Sequence, residues 1–557
     1  MENELDDYRA RAKKANSEGE YLAAFDIARE GLIRNPGDVP LLQRKALALA
    51  RMGSTDQAEA CLKEALAKEP DNIETLGIHA RTIKDAWLRS GSPEYLKRAL
   101  AAYEDVFNRS PRSYWMGINA ATLALASRLG DKAQRLAGMV AEICESERAA
   151  VKSDEDRYWL LATLAEAALV RRKSEDALGY YAEAAKVGAG DPANLLATWR
   201  NARIILRFLD RSLYDRVRLA LRTPTVAVLT EDCSADREYA GPVATQLRET
   251  FAARISELNV RFGYALADTP AGRLFAEAIR DDGGHMVPVS PDSALGFTGR
   301  QYSLDVMSGL AEMKTGQLGT QLVRLQLSHT TAGGPAVHAA EILSTQNERI
   351  VTLTVACPEC AVPPAPNLDH LGISIEARAM MFADAKGFSG LDEAEMPAFV
   401  HDFLNMVAFV ADQVPGPIYR NTWGDGLFFV FGKVADAGLF ALRLAQQIEN
   451  FPLPGTSKKL TLRIALHAGP VYRIVQNPIT NREDYLGSHV NRTARMEPKA
   501  LEGRVYVSEP FAALATKEAP GQFEFDYVGK VELPKSAGVV PIYDMRSAHA
   551  SRSASAG

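Results

Sequence analysis

A chain of 557 residues is too long for one hydrophobic core; at roughly 100–200 residues per domain it divides into three or four. Its composition, 47% hydrophobic and 24% charged, is that of an ordinary globular protein. A formal net charge of -6 excludes a general nucleic-acid binder, which carries a basic excess. No apolar run approaches the ~18 residues that span a bilayer, and the charged segment Met1–Glu20 lacks the apolar stretch of a signal peptide. The five cysteines, few and odd in number, fit reduced thiols in a cytoplasm better than a disulfide framework.

Residues 1–215 read as helices. Alanine, leucine, arginine and glutamate dominate, and apolar residues recur at helical spacing in Ala23, Ala24, Ile27, Ala28 and Leu32. Breaks fall at Asn35-Pro36-Gly37 and Glu69-Pro70-Asp71. The two prolines stand 34 residues apart, the period of tetratricopeptide repeats. Small residues between them (Ala46, Ala50, Gly53, Ala58, Ala65) would let paired helices approach closely. A less regular copy runs from Tyr158 to Ala185. An all-α, tetratricopeptide-like array of about three to five helix pairs is expected, with a curved surface for a protein or peptide partner. A plain helical spacer is the alternative.

From Thr225 the pattern changes. Val226–Leu229, Val260–Gly263 and Met286–Val289 read as short strands, separated by helical stretches Gly241–Leu258 and Pro270–Ile279. Ile350–Val355 reads as a last strand. Alternation of strand and helix predicts a Rossmann-like α/β domain over 222–357. In such sheets ligands sit beyond the C-terminal strand ends, which points to the turn Gly263–Asp268. A single glycine there, without G-x-G-x-x-G, supports phosphate binding only weakly, and a domain without chemistry is the simpler reading. Cys357-Pro-Glu-Cys360 stands alone: a zinc ribbon needs a second pair, and prolines 363, 364 and 366 mark a stiff linker, residues 358–371.

The C-terminal region carries the chemistry. An apolar strand through Met380, Met381 and Phe382 ends in Asp384 and turns at Gly387. A helix over Met396–Gln413 would aim its N-terminal amides back at that turn, a favourable place for phosphate. Trp423-Gly424-Asp425-Gly426 joins two strands in a hairpin with a carboxylate at its tip. Two aspartates on adjacent strand ends could hold magnesium, which prefers oxygen ligands and phosphate partners; alone, either is more simply a turn residue.

Four motifs in order then resemble class III adenylate and guanylate cyclases. Phe382–Phe388 resembles the family's first metal motif and Trp423–Gly426 its second. Leu462–Val471 is similar to the strand and turn after it. Asp484–Met496 resembles the substrate and transition-state motif, with Asp484, then Asn491 seven residues on, then Arg495 four further. Those spacings place Asn491 and Arg495 on one helix face. The resemblance spans residues 372–545 and implies an α+β, ferredoxin-like domain working as a homodimer. It implies that Asp384, Asp425 and the backbone carbonyl of Ala385 hold two Mg2+ or Mn2+ ions. The ribose 3′-hydroxyl of ATP would attack the α-phosphate and expel pyrophosphate, leaving a 3′,5′-cyclic nucleotide. Arg495 would neutralise charge at the α-phosphate and Asn491 would orient the ribose. The turn at Gly387 and Phe388, Asn421, Asp484 and Lys535 would contact substrate.

Three departures stand out. The family's adenine-selecting lysine is Asn421 here, which leaves ATP preferred through Asp484 but not GTP or a pyrimidine nucleotide excluded. The phosphate-gripping lysine falls by spacing at Pro534, with Lys535 adjacent. Pro470 stands where some members carry a phosphate-binding arginine. An alternative reading is a weak or inactive cyclase-homology domain that senses nucleotide or binds protein. His467 is expected to pack or hydrogen-bond at a strand-to-turn junction, His489 to sit at an interface, and Trp423 to lie in the core. The Ser/Ala-rich segment 546–557 reads as a disordered tail.

Overall fold

The computed structural model describes residues 2–548 except 111, 189–190, 232–237, 240, 291–294, 331–336, 345–347, 357–366, 414–415, 450, 455–458 and 535–537. Cys357, Cys360, Lys535 and the end of the predicted tail lie outside the described residues. Two compact units emerge: residues 1–225 with 315–320, and residues 226–314 with 321–557.

The first unit is a stack of helix hairpins. α1 (Glu2–Ser17) pairs with α2 (Tyr21–Arg34), α3 (Val39–Met52) with α4 (Thr55–Lys68), and α5 (Ile73–Ser90) with α6 (Pro93–Arg109). α7 (Tyr114–Ala126) pairs with α8 (Gly130–Glu147) and α9 (Asp154–Val170) with α10 (Ser174–Val187); α11 (Pro192–Phe208) and the short α12 (Tyr214–Ala220) close the array. Both sequence breaks are inter-hairpin loops, and each is followed by a capped helix. Asp38 accepts from Leu41 N and Asn72 from Thr75 N, satisfying amides that have no partner inside the helix. Ala28, Ala46, Ala58 and Ala65 are fully buried, so the helices meet at small side chains.

The second unit opens with a six-stranded, mostly parallel sheet. Its elements are β1 (Thr225–Glu231), α13 (Gly241–Glu257), β2 (Val260–Leu266), α14 (Pro270–Asp281), β3 (His285–Val289), α15 (Gly296–Leu318), β4 (Leu322–Thr330), β5 (Val337–Ser344) and β6 (Glu348–Ala356). The strand order is β3-β2-β1-β4-β6-β5, with only the β5–β6 pair antiparallel among the registers described. β1 is buried along nearly its whole length, as an interior parallel strand must be. β3 is half-exposed and carries Pro288 at the sheet edge, where the missing N–H costs no ladder bond. Three elements were not anticipated: α15, β4 and β5. The turn expected at Gly263 starts later, because β2 continues to Leu266 and Gly263 lies within the strand against Ile279.

The C-terminal sheet has the order β14-β15-β13-β11-β7-β9-β8, with short β10 and β12 attached to β11. Its elements are β7 (Ile373–Lys386), α16 (Met396–Ala398), α17 (Leu404–Gln413), β8 (Pro417–Trp423), β9 (Gly426–Phe431), α18 (Val434–Ile448), β10 (Phe451–Pro452), β11 (Lys459–Ile474), β12 (Asp484–Leu486), α19 (Ser488–Met496), β13 (Val505–Ser508), α20 (Glu509–Glu518), β14 (Phe523–Glu532) and β15 (Val539–Ser547). A π-helical turn, Phe399–Phe403, joins α16 to α17. Strand alternation divides the faces. Phe429 and Phe431 of β9 meet Phe440 of α18 on one face. Phe428 and Val430 cluster with Met380 and with Val490 of α19 on the other. β11 is continuous through Gly469 and Pro470, so the strand-to-turn junction expected at His467 is strand interior instead. β15 runs to Ser547, into the segment expected to be tail.

Candidate active site

The α19 face of the C-terminal sheet carries Asp384 and Asn421 as well as the helix of Asn491 and Arg495. Asp384 ends the Met380–Phe382–Asp384 series of β7 and stands opposite Gly426 of β9 and Arg463 of β11. Asp425 occupies the two-residue β8–β9 turn behind Gly424, whose φ of +64° is a left-handed conformation that disfavours other side chains. The turn is tied to β7 by a 3.3 Å bond from Ala385 N to the Asp425 carbonyl. Asp384 and the Asp425 turn are thus neighbours across the β7–β9 register. Burial, and then the neighbouring Asp384 charge, push the Asp425 carboxyl above its ordinary range.

A residue that sequence reasoning passed over completes this corner. Arg463 Nη2 donates to Asp384 Oδ2 at 2.6 Å, and its Nε lies 2.8 Å from Glu497 Oε1. Burial pushes Glu497 up to about 7. The available signal was a lone arginine in the apolar run Leu462–Leu466, where period two puts it on one face; that the face is Asp384's follows only from the register.

Asp484 begins β12, opposite Ile474 at the far end of β11. Its oxygens accept from Asn477 Nδ2 (2.8 Å), Tyr485 N (2.8 Å) and Tyr419 Oη (3.3 Å). Tyr419, Asn421 and Trp423 alternate on β8, so Asn421 lies on the face from which Tyr419 reaches Asp484. Asn421 Oδ1 accepts from Thr422 N, 2.9 Å. Trp423 is 59% exposed, stacked at 6.4 Å on Phe382 and 6.1 Å on Phe428; the core position expected for it is wrong because it is the last residue of β8, the edge strand of the sheet. Gly387 follows β7, and Phe388 packs on Phe399 at 4.6 Å.

Asn491 and Arg495 lie one turn apart on α19. The helix buries His489, Val490, Thr493 and Met496 and leaves Asn491 exposed and Arg495 half-exposed. No hydrogen bond or ion pair joins either residue to Asp384 or Asp425 among the described residues. His489, expected at an interface, is buried inside the chain, with Nδ1 2.8 Å from His467 Nε2, while His467 Nδ1 bonds Ser508 Oγ at 2.6 Å. Gly469 makes room: a Cβ there would meet His489 Nδ1 at 2.1 Å. Burial, the neighbouring imidazole and Arg492 together hold His467 well below the usual imidazole range. Tyr302 of α15 packs edge-on against His489 and donates to the Ala468 carbonyl at 2.9 Å.

The donor chemistry suits a hard divalent cation: two neighbouring carboxylates, both oxygen donors, with coordination left for water and phosphate. Burial and, after it, the Asp384 charge raise Asp425, and a cation beside both carboxyls would offset that charge. Among the described residues no cluster of three or more His, Cys, Asp or Glu forms a self-sufficient metal cage. An antiparallel-rich sheet with two aspartates at adjacent strand ends, and the helix of Asn491 and Arg495 on the same face, makes an α+β domain with a candidate cation site.

Residues 374–545 match the family described as Adenylate and Guanylate cyclase catalytic domain, and residues 20–124 match Tetratricopeptide Repeats-Sensor. The chain thus carries N-terminal helical repeats and a class III adenylate/guanylate cyclase catalytic domain. Receptor-type guanylate cyclase gcy-28 of Caenorhabditis elegans is 27% identical over 184 residues, 31% of this chain and 14% of its own length. Retinal guanylyl cyclase 2 of Bos taurus is 29% identical over 169 residues, 28% of this chain and 15% of its own. The chain therefore aligns with only about a seventh of those relatives. Among solved structures, the guanylate cyclase domain of RhGC from Catenaria anguillulae in complex with GTP is 22% identical, covering 31% of this chain and 98% of that one, TM-score 0.28. The adenylyl cyclase CyaB from P. aeruginosa is 18% identical, covering 31% and 96%, TM-score 0.28.

Proposed function

We propose that this protein is a cytoplasmic nucleotidyl cyclase that converts ATP to 3′,5′-cyclic AMP and pyrophosphate at a homodimer interface. The helical repeats would meet a protein or peptide partner, and the domains before the cyclase would regulate it. One observation carries this reading: Asp384 and Asp425 converge at adjacent strand ends on the face of the sheet that also bears α19.

Asp384, Asp425 and the Ala385 carbonyl would hold two Mg2+ or Mn2+ ions. Such ions supply acidity to a bound ribose hydroxyl and offset phosphate charge. The remaining work falls to side chains. Arg495, without a hydrogen-bond or ion-pair partner among the described residues, would meet charge developing at the α-phosphate. Asn491 would fix the ribose. Asp484 and Asn421 would read the base, and Gly387 and Phe388 would flank the phosphates. Arg463 would hold the Asp384 carboxylate in place while substrate is away.

The division of the site supports a homodimer. Asp384 is satisfied within its own chain by Arg463, whereas Asn491 and Arg495 face outward from α19. Two copies joined across this face would bring one chain's aspartates to the other's Asn491 and Arg495. A second substrate, GTP, is favoured by the guanylate cyclases among the relatives and by the absence of a lysine at Asn421. A weak or inactive cyclase is favoured by Pro470 and Pro534. The test is incubation of the full chain with Mn2+ and ATP, GTP, CTP or UTP, followed by detection of cyclic nucleotide and pyrophosphate. Product from ATP supports the proposal, preference for another triphosphate corrects the substrate, and no product from any of the four sinks it.

A further inference from the structure

α15 joins β3 to β4 in the middle α/β domain. Its C-terminal part is held by that domain's sheet: Glu312 pairs with Arg324 of β4 at 2.6 Å, and Lys314 Nζ stands 4.4 Å from the ring centroid of Phe262 in β2. Nearer its N-terminus it packs on the C-terminal domain instead. Tyr302, Val306 and Leu310 cluster with Ala513 and Leu514, and Asp305 accepts from Lys517 Nζ of α20 at 2.5 Å. Gly309 lies so close to α20 that a Cβ there would meet the Ala513 carbonyl oxygen at 2.1 Å. One helix therefore touches both sheets' domains, with about 18 Å between Tyr302 and Lys314 at 1.5 Å per residue.

Tyr302 fills a gap along the edge of β11. β13 pairs with β11 over Ile464–Leu466, and β12 pairs with it over Tyr472–Ile474. Ala468 falls between those partners, and there the Tyr302 hydroxyl donates to its carbonyl at 2.9 Å. The tyrosine ring, 8% exposed, stands edge-on to His489 at 5.5 Å between centroids. His489 lies in the first turn of α19, two residues before Asn491 and six before Arg495. α19 has only nine residues, and its N-cap, Gly487, supplies no side-chain cap. A helix that short does not hold itself in water, so its buried face and what that face meets decide its position. Phenylalanine at 302 would cover the same ground. The hydroxyl adds an anchor: a buried O–H needs a partner, and this one fixes the ring against His489.

Granting the cyclase reading, we infer that Tyr302 is a positioning residue for the reaction: bonded to β11, it seats the first turn of α19 and so sets where Asn491 and Arg495 point. The middle domain thereby reaches the helix of the active site through one side chain, and a shift of α15 would be felt at Arg495.

The test uses the full chain with Tyr302→Phe, which removes the bond and keeps the ring, and Tyr302→Leu, which removes both. Turnover is read with Mn2+ and the triphosphate that wild type uses, and amide hydrogen exchange is read over residues 488–496. Tyr302→Phe should lower kcat by about 3- to 10-fold, the share of one hydrogen bond. Tyr302→Leu should lower it by about 10²-fold, the cost of roughly 1 Å of misplacement. KM should change by less than about threefold, because the lost effect is one on the transition state and Asp384, Asp425 and Asp484 lie outside β11 and α19. Exchange over α19 should quicken in both variants while that of β14 holds. Asp305→Asn is the control: it weakens the Lys517 contact one turn along α15 and should leave kcat at the wild-type value. Unchanged exchange over α19, unchanged kcat, KM rising while kcat holds, or a loss in Asp305→Asn as large as in Tyr302→Leu overturns the inference. If Tyr302→Leu does not fold, Tyr302→Phe alone decides. Absence of product from wild type with all four triphosphates overturns the cyclase reading, and exchange over α19 still decides whether Tyr302 seats the helix.

Discussion

If the catalytic residues of one site come from two chains, two differently broken chains repair one another. Asp384 pairs with Arg463 and Asp484 with Ile474, eleven residues farther along β11. At ~3.3 Å per residue that is on the order of 30 Å of strand, while Asn491 and Arg495 face outward from α19. Arg495→Ala should lower kcat by about 10²- to 10³-fold, the cost of one preorganised charge-stabilising donor. Asp384→Ala should abolish turnover. When the two variants are mixed equally and subunits exchange, half the dimers are mixed, and each mixed dimer has one intact site of two. Activity should then return to about a quarter of wild type, as a two-fold assembly requires. Asp384→Ala mixed with Asp425→Ala is the control: both lesions fall in the same half-site, so the mixture stays silent. The assay is cyclic-nucleotide production over time after mixing. If the first mixture stays at background although subunit exchange is demonstrated, the two-chain site is wrong; if the control mixture recovers, the division of residues between half-sites is wrong.

Asn421 governs base choice if it and Asp484 share the base: Asn421→Glu should move the ratio of kcat/KM for GTP over ATP upward by about tenfold or more, and an unchanged ratio would remove Asn421 from the base pocket. The raised Asp425 carboxyl gives a signed pH dependence, because the metal needs the carboxylate and falling pH protonates Asp425 earlier than an ordinary aspartate. Activity should therefore fall on acidification, with a midpoint that moves to lower pH as Mn2+ is raised; a midpoint indifferent to Mn2+ refutes this. His467 acts on stability instead. Its folded-state value lies below the unfolded one, so its contribution is present above about pH 6.5 and is lost as pH falls below that. The melting temperature should drop between about pH 6.5 and 5, and His467→Gln should show a smaller drop over the same range.

What could be read from the residues alone was local. Asp384 and Asp425 were legible because each ends or joins an apolar strand beside a glycine, and Asn491 with Arg495 because a four-residue spacing fixes a helix face. The helical array was legible from alanine spacing and two prolines. α15 was not: it carries glycines at 296, 299, 309 and 316, which weaken a helical pattern, and the helix forms in the packed molecule, where Tyr302, Val306 and Leu310 meet Ala513 and Leu514. The same limit separates Arg463 from Asp384. They are 79 residues apart in sequence, and only the β7–β11 register sets them face to face. His467 and His489, 22 residues apart, meet because α19 folds back over β11, a contact that neither strand period nor helix period contains. Those unread contacts are the ones that orient the legible residues. Arg463 holds Asp384, and the His467–His489 bond seats the helix that carries Asn491 and Arg495. Sequence spacing therefore shows which groups could do chemistry, while the register-dependent partners decide where those groups point.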